Sequence, residues 1–180
     1  DVTNNGDNAP QEWVNASNAM YLLDNAVPEI PYSIAHGNHD TYGGTGTLVQ
    51  YNQYFGIPHF QSKSYYGGHY GTNNRYNYEL FSAGGMDFII IHLGYGAGTD
   101  MNVLNWANTQ LQTYSNRRAI VTSHDVMNTD GTFTSSGSAI YNALKGNTNL
   151  FLILCGHNHD ENRRSDTYNG HTIYSVLADF

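Results

Sequence analysis

Trp13, Ala16, Met20 and Leu23 recur at steps of three and four residues, the spacing of one face of an α-helix. With Pro10 suited to the first turn, the pattern predicts a helix over residues 10–26. The same spacing through Val103, Ala107, Leu111 and Tyr114 predicts a helix over 100–114, and Ile140 with Leu144 predicts a shorter one over Ser138–Lys145. Ile30–Ala35 reads as a short strand entering the turn Gly37-Asn38-His39-Asp40. Tyr76–Ser82 and Met86–Leu93 flank Ala83-Gly84-Gly85, which predicts a β-hairpin. Ala119–Ser123 and Leu150–Cys155 are continuously apolar enough to be buried strands, and Thr172–Leu177 is a last one, paired with Glu161–Thr167. Residues 41–74 are rich in Gly, Tyr, Gln and Thr without a sustained period, which predicts a long irregular excursion. Strands alternating with helices, several of them apolar on both sides, predict an α/β domain with a covered sheet.

Composition narrows the class. The 180 residues read as one domain, 1–180, cut inside at both ends, and long enough to bury a core. Hydrophobic residues at 39% and aromatics at 13% exclude a disordered chain. The longest strongly apolar stretch, Phe88–Ile91, falls far short of the roughly 20 residues that span a bilayer, so no membrane partner is expected. Acidic residues outnumber basic ones by 15 to 7, which argues against extended nucleic-acid binding, where phosphate neutralisation supplies the affinity. A lone cysteine, Cys155, excludes an internal disulfide and a cysteine-based zinc knuckle, and its apolar run predicts a buried thiol. Few lysines with abundant Asn, Gly, Thr and Tyr suggest an extracellular or periplasmic setting.

Three polar clusters follow three of the predicted strands: Gly37-Asn38-His39-Asp40, Ser123-His124-Asp125 and Gly156-His157-Asn158-His159. Asp1-Val2-Thr3-Asn4 is a fourth, provided a strand precedes it. In open α/β sheets ligands gather beyond the carboxyl ends of the strands, so separate turns deliver side chains to one crevice. Imidazole, carboxylate and amide oxygen suit a divalent ion such as zinc, manganese or iron. The glycines before Asn38 and His157 are expected to permit sharp turns. Any one histidine after a strand is more often a structural hydrogen bonder; the ordered set is harder to attribute to turn chemistry.

The order Asp…Gly-Asn-His-Asp…His…Gly-His-X-His resembles the calcineurin-like metallophosphoesterases over the whole chain, without their opening Asp-X-His motif. The resemblance implies a sheet sandwich flanked by helices, in four α/β/β/α layers, incomplete at the N-terminus. It implies a hydrolase that cleaves phosphomonoesters or phosphodiesters with water activated between two divalent ions of the Mn, Zn or Fe type. Carried over, Asp1 bridges both ions, and Asn38, His124 and His157 complete one of them. The other takes Asp1 and His159. His39 serves the leaving group as acid or electrostatic stabiliser, with Asp40 orienting its ring. Protein Ser/Thr phosphatases resemble this pattern but carry arginines where this chain has His36 and Asn5; purple acid phosphatases carry a Tyr where it has Asn4. The substrate implied is a small phosphoester rather than a phosphoprotein. The alternative is a degenerate metal or phosphate-binding module without catalysis; a nuclease of the same fold is disfavoured by the acidic balance.

Among the remaining residues, His59, His69 and His171 are expected to be solvated and His92 to be a hydrogen bonder at the core edge. The Tyr-rich stretch from Tyr42 to Tyr78 is expected to pack the excursion, and Arg163–Arg164 to be a solvated pair.

Overall fold

The computed structural model describes residues 1–41 and 48–179. In chain order it contains helices α1 (Pro10–Asp24), α2 (Val49–Phe55) and α3 (Ile57–Phe60), then strands β1 (Tyr66–His69), β2 (Tyr76–Ala83) and β3 (Met86–Leu93). Helix α4 (Met101–Thr113), strand β4 (Arg118–Ser123), helix α5 (Ser135–Leu144) and strands β5 (Leu150–Cys155), β6 (Asp160–Tyr168) and β7 (His171–Asp179) follow. The seven strands join in one mixed sheet, in the order β1-β2-β3-β4-β5-β7-β6. Its centre, β3-β4-β5-β7, is parallel, and the flanking pairs are antiparallel. The α/β class expected of the sequence is therefore present; where the resemblance implies stacked sheets, the described strands form a single hydrogen-bonded one.

The main core lies between one sheet face and helices α4 and α5. Ile89, Ile91 and Leu93 of β3, Val121 of β4 and Ile153 of β5 pack against Val103, Leu104, Ala107 and Leu111 of α4 and Ile140 and Leu144 of α5, all fully buried. Burying one such large aliphatic side chain contributes roughly 1.5–3 kcal/mol, so this stripe dominates the stability of the sheet. Both helices begin on side-chain caps. Asp100 accepts from Asn102 N (2.9 Å) and Val103 N (3.5 Å), and Thr134 accepts from Gly137 N (3.0 Å).

A second core gathers Trp13 of α1, Tyr51 and Phe55 of α2, Phe60 of α3, and Tyr32, Ile34 and Tyr65. It corrects two expectations. Ile30–Ala35 is extended, with Tyr32 and Ile34 buried in alternation, but it is not a strand of the sheet. Aromatic packing holds it instead, and the Tyr51 hydroxyl donates to Ile34 O (2.9 Å). Among the described residues of the excursion at 41–74 there are two helices and an edge strand; at seven and four residues the helices are too short to show a period. The tyrosines there do pack the second core, Tyr51 and Tyr65 being buried, while Tyr42 lies outside the described residues. No helix among the described residues is long and apolar enough to cross a membrane.

Cys155 is half-buried; its thiol donates to Val176 O (3.5 Å), and burial pushes it up to about 11. It stays a protonated thiol at neutral pH.

Candidate metal centre

Strands β3, β4, β5 and β7 end on one edge of the sheet, and the chemistry collects there. His124 directly follows β4, and His157 follows β5 by two residues. Asn38 arrives from the turn after the extended segment. His124 Nε2 lies 2.8 Å from Asn38 Oδ1, His157 Nδ1 lies 3.0 Å from the same oxygen, and the two ring nitrogens are 3.0 Å apart. Asp1 Oδ1 stands 3.5 Å from His124 Nε2. Burial pushes His124 down to about 3, so its ring is neutral at physiological pH and keeps a lone pair to offer.

The triangle is poorly served by hydrogen bonds alone. Each neutral imidazole carries one N–H and the amide oxygen none, so three mutual contacts cannot all be satisfied. A cation resolves this. Ligand atoms about 2.1 Å from an ion and at right angles stand about 3 Å apart, matching the spacings found. The three donors fit one divalent ion. The amide is essential to that count: among the described residues, no three His, Cys, Asp or Glu side chains are by themselves arranged to hold one.

Several local features bring the donors together. A Cβ on Gly37 would stand 2.0 Å from Asp1 Oδ1 and 2.8 Å from His124 Cε1, so only glycine lets the turn approach both. His157 itself takes the left-handed backbone, at φ 73°. The sharp turn was expected from Gly156; the strain falls instead on His157 itself, as it often does at functional positions. Asp40 is fully buried and accepts from Val2 N (2.9 Å), Thr3 N (2.7 Å), Thr3 Oγ1 (3.0 Å) and Gly37 N (2.7 Å), tying residues 1–3 to the Asn38 turn.

The sequence profile of the calcineurin-like phosphoesterases matches residues 1–161. The chain belongs to the calcineurin-like phosphoesterase family. The match covers every residue named above for the site. The chain is also similar to a protein of Bacillus subtilis (strain 168) described as uncharacterized protein YvnB, with 33% identity over 178 residues. That similarity covers 94% of this chain but 13% of the relative. Family membership supports a phosphoesterase-type hydrolase of a typically metal-dependent kind.

Within this calcineurin-like domain the expected site residues do not all assemble. Asn38, His124 and His157 meet, with Asp1 beside them. His39 is exposed next to the cluster, its backbone N donating to Asp1 Oδ1 (2.9 Å). Its ring is oriented by Asn4 O, which accepts from Nδ1 at 2.9 Å, and not by Asp40, whose oxygens are taken up by the loop clamp. His159 is exposed and contacts none of the others, because the chain leaves the turn directly into β6. His36 is fully buried, pushed down to about 4 by that burial, and Asn5 is held by Glu12 at 2.6 Å; neither stands in for a phosphatase arginine.

Glu12 was not foreseen. It also accepts from Asn4 N (2.8 Å) and Asn5 N (3.0 Å), and the Asn5 side chain foremost holds its carboxyl below the usual range. Its one sequence signal was an acid in the first turn of a helix, which reads as dipole complementarity. The peripheral histidines are also more engaged than expected. His59 stacks on Tyr21 at 4.6 Å and meets Asp24 at 3.2 Å, and His69 Nδ1 contacts the Tyr66 hydroxyl (3.1 Å). His171 is not solvated either, but its two buried ring nitrogens have no hydrogen-bond partner among the described residues. His92 bridges Glu79 (2.7 Å) and Thr122 (2.8 Å), a hydrogen bonder as expected. Arg164 is only partly solvated, since Asp166 grips its guanidinium at 2.7 and 2.8 Å over the Phe133 ring.

Gly37→Ala is expected to lower metal affinity at least tenfold, because the added methyl displaces the Asp1 carboxylate or the His124 ring. Metal titration of the purified variant, with circular dichroism to show that it folds, checks this; unchanged affinity would remove Gly37 from the account.

Proposed function

We propose that this domain is a metal-dependent hydrolase of small phosphoesters, with diesters at least as good as monoesters. One observation carries the reading: three donor atoms converge within 3.0 Å of one another at the carboxyl ends of the central parallel strands, beside an exposed histidine. Asn38, His124 and His157, with Asp1, would hold one ion of the Mn, Zn or Fe type; a second would need Asp1 and His159, and His159 would have to turn inward. Bound divalent ions lower the pKa of a water and neutralise charge on phosphoryl oxygens.

The chain's own groups supply the rest. Asn4 O fixes the His39 N–H on Nδ1, leaving Nε2 as the atom that faces outward chemistry. The attacking group is a hydroxide, its water having lost a proton to solvent beforehand. As its oxygen bonds to phosphorus and the ester P–O bond breaks, a proton carried on His39 Nε2 passes to the leaving oxygen and is restored from solvent. Asp1 and the His39 backbone stay joined, which keeps this acid next to the cluster.

Substrate choice follows from what is missing. A bidentate guanidinium grips the terminal oxygens of a monoester. With His36 sealed and Asn5 bound to Glu12, no such grip forms at either place, so a second ester substituent is tolerated. The protein loaded with manganese or zinc should hydrolyse a bis-aryl phosphate at least as fast as an aryl phosphate, and both faster than a phosphopeptide. Strong preference for the phosphopeptide would overturn the substrate argument. Tight ion binding without turnover of any ester would favour the degenerate binding module, to which the isolated His159 already lends weight.

A further inference from the structure

The segment Gly94-Tyr95-Gly96, immediately after β3, carries none of the expected motifs, yet it is built tightly against the site. Tyr95 N donates to His36 O (2.9 Å), two residues before Asn38, and Tyr95 O accepts from Arg75 Nη2 (2.7 Å). Gly94 N donates to Arg75 O (3.2 Å), and a Cβ on Gly94 would stand 2.3 Å from His36 Nε2, so the loop can lie there only with glycine. Gly96 turns the chain away in the left-handed conformation, at φ 89°. Both peptide groups of Tyr95 are thus pinned, which fixes where its side chain leaves the backbone.

That ring borders the cluster. It meets His124 edge-on at 5.9 Å between centroids and lies tilted at 5.8 Å from His157. Its hydroxyl has no hydrogen-bond partner among the described residues and is not a buried atom, so it opens to solvent. The hydroxyls of Tyr21, Tyr32, Tyr51 and Tyr66, by contrast, are each spent on the protein. A ring packed against two converging imidazoles and carrying an unspent O–H, where neither His36 nor Asn5 supplies a guanidinium, is a ready donor to an anionic oxygen.

We propose that Tyr95 is a substrate-positioning residue whose hydroxyl donates to a non-bridging phosphoryl oxygen, a single neutral donor suited to a phosphodiester anion. The proposal rests on the phosphoesterase reading of the adjacent cluster. It is tested with Tyr95→Phe and Tyr95→Ala in the metal-loaded protein, measuring ion content, unfolding temperature, calorimetric affinity for inorganic phosphate, and kcat and KM for a bis-aryl phosphate.

Tyr95→Phe keeps the ring, so ion content and unfolding temperature should match wild type. Phosphate affinity should fall about 10–100-fold, the usual worth of a hydrogen bond to a charged group, and KM should rise comparably with kcat little changed. Equal phosphate affinity in wild type and Tyr95→Phe would overturn the proposal. If at the same time Tyr95→Ala lost its ion, the ring would be packing for the histidines and nothing more. If metal-loaded wild type neither bound phosphate nor cleaved the ester, the phosphoesterase reading would itself fail and this proposal with it.

Discussion

Replacing His39 by Ala should lower turnover by about 10²–10⁴ while leaving ion content nearly unchanged, the worth of a positioned acid. The structure separates the two effects because the His39 ring is not one of the three converging donors; it touches the chain through Asn4 O. The loss should be largest for esters with poor leaving groups, which need the proton most. Comparing an activated aryl phosphate diester with an alkyl one reads this directly. If both slowed equally, the acid role would give way to electrostatic stabilisation alone. Loss of the ion in this variant would instead place His39 among the ligands.

Asp40→Asn should be the most destabilising conservative change near the site, by about 3 kcal/mol. Hydrogen bonds to a charged acceptor contribute about 1.5–3 kcal/mol each, and both carboxylate oxygens are in use. The amide keeps one acceptor oxygen but turns an NH₂ toward a backbone N–H, either Gly37 N (2.7 Å) on one side or Thr3 N (2.7 Å) on the other. A domain of this size should lose roughly 6–12 °C of melting temperature for that free energy. Because the same bonds hold residues 1–3 against the Asn38 turn, ion affinity should fall as well. Thermal unfolding and metal titration of the one variant measure both. A melting temperature within about 2 °C of wild type would show that the clamp is not needed to join the two loops.

The parts of the fold that were legible in the sequence are those fixed by local pattern. Val103, Ala107 and Leu111 lie on one face of α4 because α4 packs lengthwise on the sheet, and the Gly84-Gly85 turn joins β2 to β3 as the flanking runs require. His124 and His157 were legible because each closely follows a short apolar run, and such runs are the parallel strands. The rest depended on contacts distant in sequence. Ile30–Ala35 has strand-like alternation, but pairing is decided by a neighbour in space, and aromatic packing claims it instead. Asp40 beside His39 suggested a dyad, yet its partners are Val2 and Thr3, nearly forty residues earlier. Tyr95 gave no signal, because pinning by His36 and Arg75 has no pattern along the chain.

The central claim is that Asn38, His124 and His157 hold a divalent ion. Anomalous diffraction at the zinc edge, from crystals of the protein grown with zinc, tests it most directly. A peak about 2.0–2.3 Å from Asn38 Oδ1, His124 Nε2 and His157 Nδ1, lost in His124→Ala, is the result predicted. Ordered density for all three side chains with no peak between them, or zinc bound only elsewhere, would contradict the account.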